Sequence, residues 1–145
     1  MESLVAARPA PEFTAAPAPV FALLDDAVRD FGPRPVLDFL GRRLTYAELG
    51  RQVNAAAAGL QRLGVARGVN VGLCLPNCPY SVIMYFAILK AGGTVVNFNP
   101  LYTARELEAQ VKLTHLAIMV TLDLALIQEK IGPLAAQNLF RHVIV

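Results

Sequence analysis

The chain has 145 residues, a formal net charge of +2 and two cysteines, and 55% of its residues are hydrophobic against 17% charged. That length suffices for one domain with a sizeable core, and a charged share well under the usual ~25% implies a chain that buries most of its surface or meets further protein. The scattered Lys and Arg exclude a nucleic-acid footprint, and the longest apolar run, Val82 to Leu89, falls far short of the ~20 residues needed to cross a bilayer and reads as a buried helix.

Residues 1–19 carry Pro9, Pro11, Pro17 and Pro19 among alanines, which predicts an extended, poorly ordered arm. Glu2, with no basic start and no long apolar run behind it, speaks against a secretory signal. From Val20 to Phe31, Phe21, Leu24, Val28 and Phe31 recur at helical steps, and the segment FGPRP ends that helix. PVLDFLGRRLTY then predicts a small hairpin with Gly41-Arg42-Arg43 at its tip. Thr45 and Glu48 form a T-x-x-E capping box, with Leu44 and Leu49 placed to staple it. The helix so started carries Leu49, Val53, Ala56, Leu60 and Leu63 on one stripe and stops at Gly64.

Four strand-like segments follow: Asn70–Leu75, Thr94–Phe98, Leu116–Thr121 and His142–Val145. Helices are expected between them over Tyr80–Ala91, Thr103–His115 and Asp123–Ile131, which is βαβ spacing. The last three strands are rich in Val, Ile, Leu and Met with little alternation, the mark of parallel strands covered on both faces. Thr103 and Glu106 repeat the capping box, with Tyr102 and Leu107 as its staple. Gly132-Pro133 is expected to end the last helix, with room for a further short turn after it. The fold class is therefore α/β, an open and mostly parallel sheet of βα repeats, with residues 20–145 as one unit. The final strand would leave an apolar edge, from which truncation at the C-terminal edge and self-association through that edge are expected.

Chemistry is sparse. Cys74 and Cys78 read as ordinary buried thiols of a reducing cytoplasm, because a zinc site needs about four ligands. The sequence contains no G-x-G-x-x-G, no G-x-x-x-x-G-K-[ST] and no G-x-S-x-G. Gly92-Gly93 precedes a strand, whereas phosphate loops follow one, so it reads as a helix stop. Asp25, Asp26, Glu106, Glu108 and Asp123 fall on helix surfaces or caps. His115 sits at a helix end, where a cation suits the dipole, and His142 opens the final strand. Tyr80, Met84, Tyr85 and Phe86 share one helix and are expected in the core. Asn97, Asn99 and Pro100 stand out, since the carboxyl end of a buried strand is where open α/β sheets bind ligands. Asn side chains at such a place also cap the turn by themselves.

Three segments, RLTYAELGRQVNAAAAGLQRLGVARGVNVGLCLPN, FAILKAGGTVVNFNPLYTARELEAQV and AIMVTLD, resemble the adenylate-forming acyl-CoA synthetase superfamily in that order. The resemblance covers about Phe21 to Val145, and NPLYTARELE is similar to the NPLYTxREL run of long-chain fatty acid–CoA ligases. It implies the N-terminal portion of a ligase that uses Mg and ATP to turn a fatty acid into an acyl-adenylate, releases pyrophosphate, and passes the acyl group to CoA. The superfamily's Ser/Thr/Gly-rich loop with Pro-Lys-Gly, its acidic ribose-contacting motif and its catalytic Lys do not occur in residues 1–145. No catalytic, cofactor-binding or metal residue is therefore assigned, and the piece by itself is expected to be inactive. Fatty acid, ATP, Mg and CoA belong to the parent enzyme. In some CoA-ligase relatives a basic residue directly after Asn-Pro contacts CoA; this chain has Leu101 there, with Arg105 the nearby basic alternative. The competing reading is a stand-alone, non-catalytic α/β binding or interaction module derived from such an enzyme. A cytoplasmic location is expected, with peripheral contact at the inner membrane left open, although no predicted helix is basic enough to anchor on a membrane surface.

Overall fold

The computed structural model describes residues 17–145. Of the arm expected at residues 1–19, residues 1–16 lie outside the described residues. Helix α1 (Val20–Phe31) leads into an antiparallel hairpin, β1 (Pro35–Phe39) and β2 (Arg42–Thr45), and then into the long helix α2 (Tyr46–Arg62). Strand and helix alternate from there: β3 (Asn70–Leu73), α3 (Pro79–Ala91), β4 (Thr94–Asn97), α4 (Ala104–Leu113), β5 (Ile118–Val120), α5 (Ala125–Ala136) and β6 (His142–Ile144).

The last four strands form one parallel sheet in the order β4-β3-β5-β6. The chain steps outward from β3 to β4, crosses back over β3 to β5, and continues to β6. Right-handed crossovers then put α3 on one face and α4 and α5 on the other. Two buried clusters match this division. Leu49, Val53 and Leu60 of α2 and Ile83 and Ile88 of α3 meet Val71, Ile118 and Val120 on the first face. Leu107 and Val111 of α4 and Ile127, Ile131 and Leu134 of α5 meet Met119 and Phe98 on the second. Neighbouring residues of β5 feed opposite clusters, as the two-residue period of a strand requires. This is why the strand reads as an unbroken apolar run.

Both capping boxes form. Thr45 Oγ1 accepts from the Glu48 N–H at 3.2 Å while the Glu48 carboxylate accepts from the Thr45 N–H at 2.8 Å. At α4 the corresponding distances between Thr103 and Glu106 are 3.3 and 2.8 Å. Helix α1 lies tightly over Gly50 of α2, where an added Cβ would come within 2.8 Å of Val28 Cγ2.

Three expectations are corrected. The hairpin tip is Leu40-Gly41, with φ of 51° and 78°, rather than Gly-Arg-Arg. Two left-handed residues in succession match the twist of the flanking strands, and they free Arg42 and Arg43 to pair with Phe39 and Asp38. Arg43 Nε reaches Asp38 Oδ2 at 3.0 Å from that position. Helix α5 does not stop at Gly132-Pro133 but runs on to Ala136. Proline deletes one helical hydrogen bond, yet continuing the helix buries Leu134 to 2% exposure in line with Ile127 and Ile131, which offsets much of that cost. The strands are also shorter than expected. β5 begins at Ile118 because His115, with φ of 47°, turns the chain before Leu116.

Candidate functional site

The loops that leave β3 and β4 at their carboxyl ends enclose a cleft of about 650 Å³. From β3 the chain passes through Cys74 to Cys78 and enters α3 with Pro79 in its first turn. Ser81 Oγ donates to the Cys78 carbonyl at 2.6 Å, which tightens that entry. From β4 it passes through Phe98 to Tyr102, then into the Thr103 cap of α4. Phe98 is buried and its N–H extends the ladder to the Leu73 carbonyl at 3.0 Å.

Asn77, Ser81, Asn97 and Asn99 give the cleft its polar groups, and Tyr85, Phe86, Phe98 and Tyr102 its aromatic walls. Tyr85 and Phe86 stand edge to face, 5.4 Å between centroids and 87° between planes. No charged side chain is among the lining residues. Such a surface can hydrogen-bond and stack against an uncharged group. It offers no carboxylate or imidazole and no counter-charge for a phosphate.

The β4 loop is pinned from behind. Gln110 Nε2 of α4 donates to the Asn97 carbonyl at 2.9 Å, and Lys130 Nζ of α5 donates to the Pro100 carbonyl at 3.0 Å. Within the loop the Leu101 N–H donates to Asn99 Oδ1 and the Tyr102 N–H to the Asn99 carbonyl, both at 3.0 Å. Below the loop, burial pushes the Cys74 thiol up, with nearby Lys130 drawing it part of the way back. Glu106 is held below the usual carboxylate range, first by the Thr103 N–H, then by the Thr103 hydroxyl, and least by Lys130.

Asn97, Asn99 and Pro100 thus all reach the cleft, and Asn99 also caps its own turn. Leu101 and Arg105 are exposed and outside the lining. Cys78 is half-buried and borders a smaller adjoining hollow, whereas Cys74 is fully buried. The expectation that Tyr80, Met84, Tyr85 and Phe86 are core fails for Tyr80, which is 61% exposed, and the two aromatic residues after Met84 line the cleft. Asp25 pairs with Lys90, Asp26 with Arg29 and Glu108 with Lys112. His115 and His142 lie on the surface. Asn77 and Ser81 were missed, although Asn77 carries the same signal as Asn99, a polar residue just past a buried strand. The switch point between β3 and β5 opens instead onto an apolar groove of about 460 Å³ bordered by Leu75, Tyr80, Met84, Leu122 and Ile144. Thr121 also borders that groove and is buried, with its Oγ1 unpartnered among the described residues.

No helix among the described residues is long and apolar enough to cross a membrane. The profile of a family described as AMP-binding enzyme matches residues 24–143. The long-chain-fatty-acid–CoA ligase of Bacillus subtilis (strain 168) is 40% identical over 103 residues, which is 71% of this chain and 18% of that protein. The fold is also that of the anthranilate CoA ligase AuaEII in complex with anthranoyl-AMP, with a TM-score of 0.80 at 20% identity over 86% of this chain and 24% of that one. A long-chain-fatty-acid–CoA ligase from Archaeoglobus fulgidus gives a TM-score of 0.77 at 23% identity over 88% of this chain and 27% of that one. The chain spans about a fifth of the length of the curated ligases it matches.

Proposed function

The chain belongs to the AMP-binding enzyme family, and from that premise we propose that it forms the N-terminal part of a fatty acid–CoA ligase. The observation that carries the reading is the extent of its identity to the Bacillus subtilis ligase. In the parent reaction a fatty carboxylate oxygen attacks the α-phosphorus of ATP and pyrophosphate leaves. The CoA sulfur then attacks the acyl carbon, AMP leaves, and the thiol proton is released. Magnesium would shield phosphate charge in the first step. Among the described residues no three His, Cys, Asp or Glu side chains come together.

The part played by residues 20–145 is to build the sheet and hold the cleft. Its neutral amides and aromatic rings suit an uncharged portion of a substrate, so the phosphates of ATP and CoA are held by other parts of the parent. No catalytic, cofactor-binding or metal role falls to residues 1–145, and this piece alone carries out neither half-reaction. The outer edge of β6, beside the exposed Val143 and Val145, takes a further strand, so the isolated piece self-associates there. The parent works in the cytoplasm.

A chimera tests the reading. Fused to the remainder of the Bacillus subtilis ligase in place of the segment it matches, the chain is expected to support palmitate-dependent exchange of pyrophosphate into ATP. The chain alone should give none. A folded chimera without exchange, as a stand-alone binding module would produce, or exchange by the chain alone, overturns it.

A further inference from the structure

We propose that Lys130 is a positioning residue for the cleft: from α5 it holds the Asn99–Pro100 rim in place. Its ammonium donates to the Pro100 carbonyl at 3.0 Å, joining residues 30 positions apart in sequence. Pro100 has no N–H, so the rim lacks one of the donors by which a loop fastens itself. The remaining bonds around it are local, running from Leu101 and Tyr102 back to Asn99. The strut from α4 grips one end of the loop at the Asn97 carbonyl. Lys130 grips it again at Pro100, and of the lining residues Asn97, Phe98, Asn99 and Pro100 lie between the two grips or on them, with Tyr102 just beyond.

The charge on Lys130 is directed at this bond rather than at a ligand. The ammonium stands behind the rim and is not among the lining groups of the cleft. It is half-buried and is felt by the Glu106 carboxylate on α4 and by the Cys74 thiol past β3. A charge-assisted hydrogen bond of this kind is roughly twice as strong as a neutral one. It ties the middle of α5 to one carbonyl on the rim.

The test is amide hydrogen exchange on the intact chain. In Lys130→Met, which keeps the aliphatic stem and loses the donor, the Leu101 and Tyr102 amides should exchange on the order of tenfold faster. Val71, in the sheet, should exchange as in the wild type. Lys130→Arg should restore protection at Leu101 and Tyr102, and Lys130→Gln should restore less. Unchanged exchange at Leu101 and Tyr102 in Lys130→Met overturns the proposal. So does a rise shared equally by Val71, which marks general destabilisation. Failure of the chimera to support pyrophosphate exchange would sink the ligase reading and leave this result standing.

Discussion

On one face of the sheet α1, α2 and α3 press together with small residues at their contacts, among them Gly50 under Val28 and the buried Ala57, Ala87 and Ala91. On the other face α4 and α5 reach back to the loops with long polar side chains: Gln110 to Asn97, Lys130 to Pro100, and Gln128 to the Leu122 carbonyl at 2.8 Å. The first layer closes around apolar surface and touches the cleft only through one side of α3. The second adds to its own apolar core a set of bonds that end on loop carbonyls at the carboxyl ends of the strands. Stability and loop geometry are thus divided between the two layers, and the division can be tested from each side.

The largest effects should come from cavities. Ile88→Ala on the first face and Leu107→Ala on the second both empty fully buried sites, and each should cost about 3 kcal/mol in urea unfolding. They should differ in reach. Leu107 sits one residue beyond the capping box of α4, so its loss should also move the backbone resonances of Asn97 to Tyr102, while Ile88→Ala leaves them in place. Equal disturbance of the cleft by both substitutions would break the comparison.

The paired capping boxes sharpen it at lower cost. Thr45→Ala and Thr103→Ala each remove the acceptor at a helix start and should lose about 1 kcal/mol. Only the second helix start adjoins the cleft, so only Thr103→Ala should disturb Asn99 and Tyr102. Acid gives an independent reading. The carboxyls of Glu48 and Glu106 are both held below their ordinary range, chiefly by the N–H and hydroxyl of their Thr partners. A depressed carboxyl contributes stability above its unfolded value of roughly 4.3 and loses it as pH falls through the folded value. The gap between wild type and either Thr→Ala variant should therefore narrow below about pH 4. A gap that widens on acidification would show that the glutamates are not coupled to the caps.

These two boxes were legible because a four-residue pattern contains both halves of the interaction. The same holds for βα alternation and for the position of Asn97 and Asn99 past a buried strand. The strand order β4-β3-β5-β6 was not legible, since nothing local in an apolar run says which neighbour it takes. The hairpin tip was misread because Gly41 suggests a turn around itself, while the left-handed pair actually begins at Leu40, a residue with little taste for that conformation. Pro133 looked like a stop because a proline rule is local and the burial of Leu134 is not. Lys130 carried no signal at all. Its partner is a backbone carbonyl, which every residue has, thirty positions away.

The smallest prediction concerns how the helices stop. In each of α2 to α5 a left-handed residue follows the helix: Gly64 and Gly92 on the first face, with φ of 86° and 94°, but His115 and Asn138 on the second, with φ of 47° and 55°. The bonds that close the turn are alike, Val65 N–H to the Leu60 carbonyl at 3.0 Å and Leu116 N–H to the Val111 carbonyl at 3.3 Å. The second layer therefore carries a side-chain penalty that the first avoids, roughly 1 kcal/mol for a residue with a Cβ. His115 is exposed, so replacing it costs no burial. Glycine adds freedom to the unfolded chain, which returns part of the gain, and His115→Gly should raise stability by about 0.5 kcal/mol. The mirror substitution on the first face, Gly64→Ala, should lower it by about 1 kcal/mol. Thermal unfolding of the two variants reads both signs. A loss on His115→Gly would mean that the imidazole at the carboxyl end of α4 stabilises the helix by more than its backbone strain costs. That outcome would make the stop of α4 a favourable side-chain placement rather than a strained one.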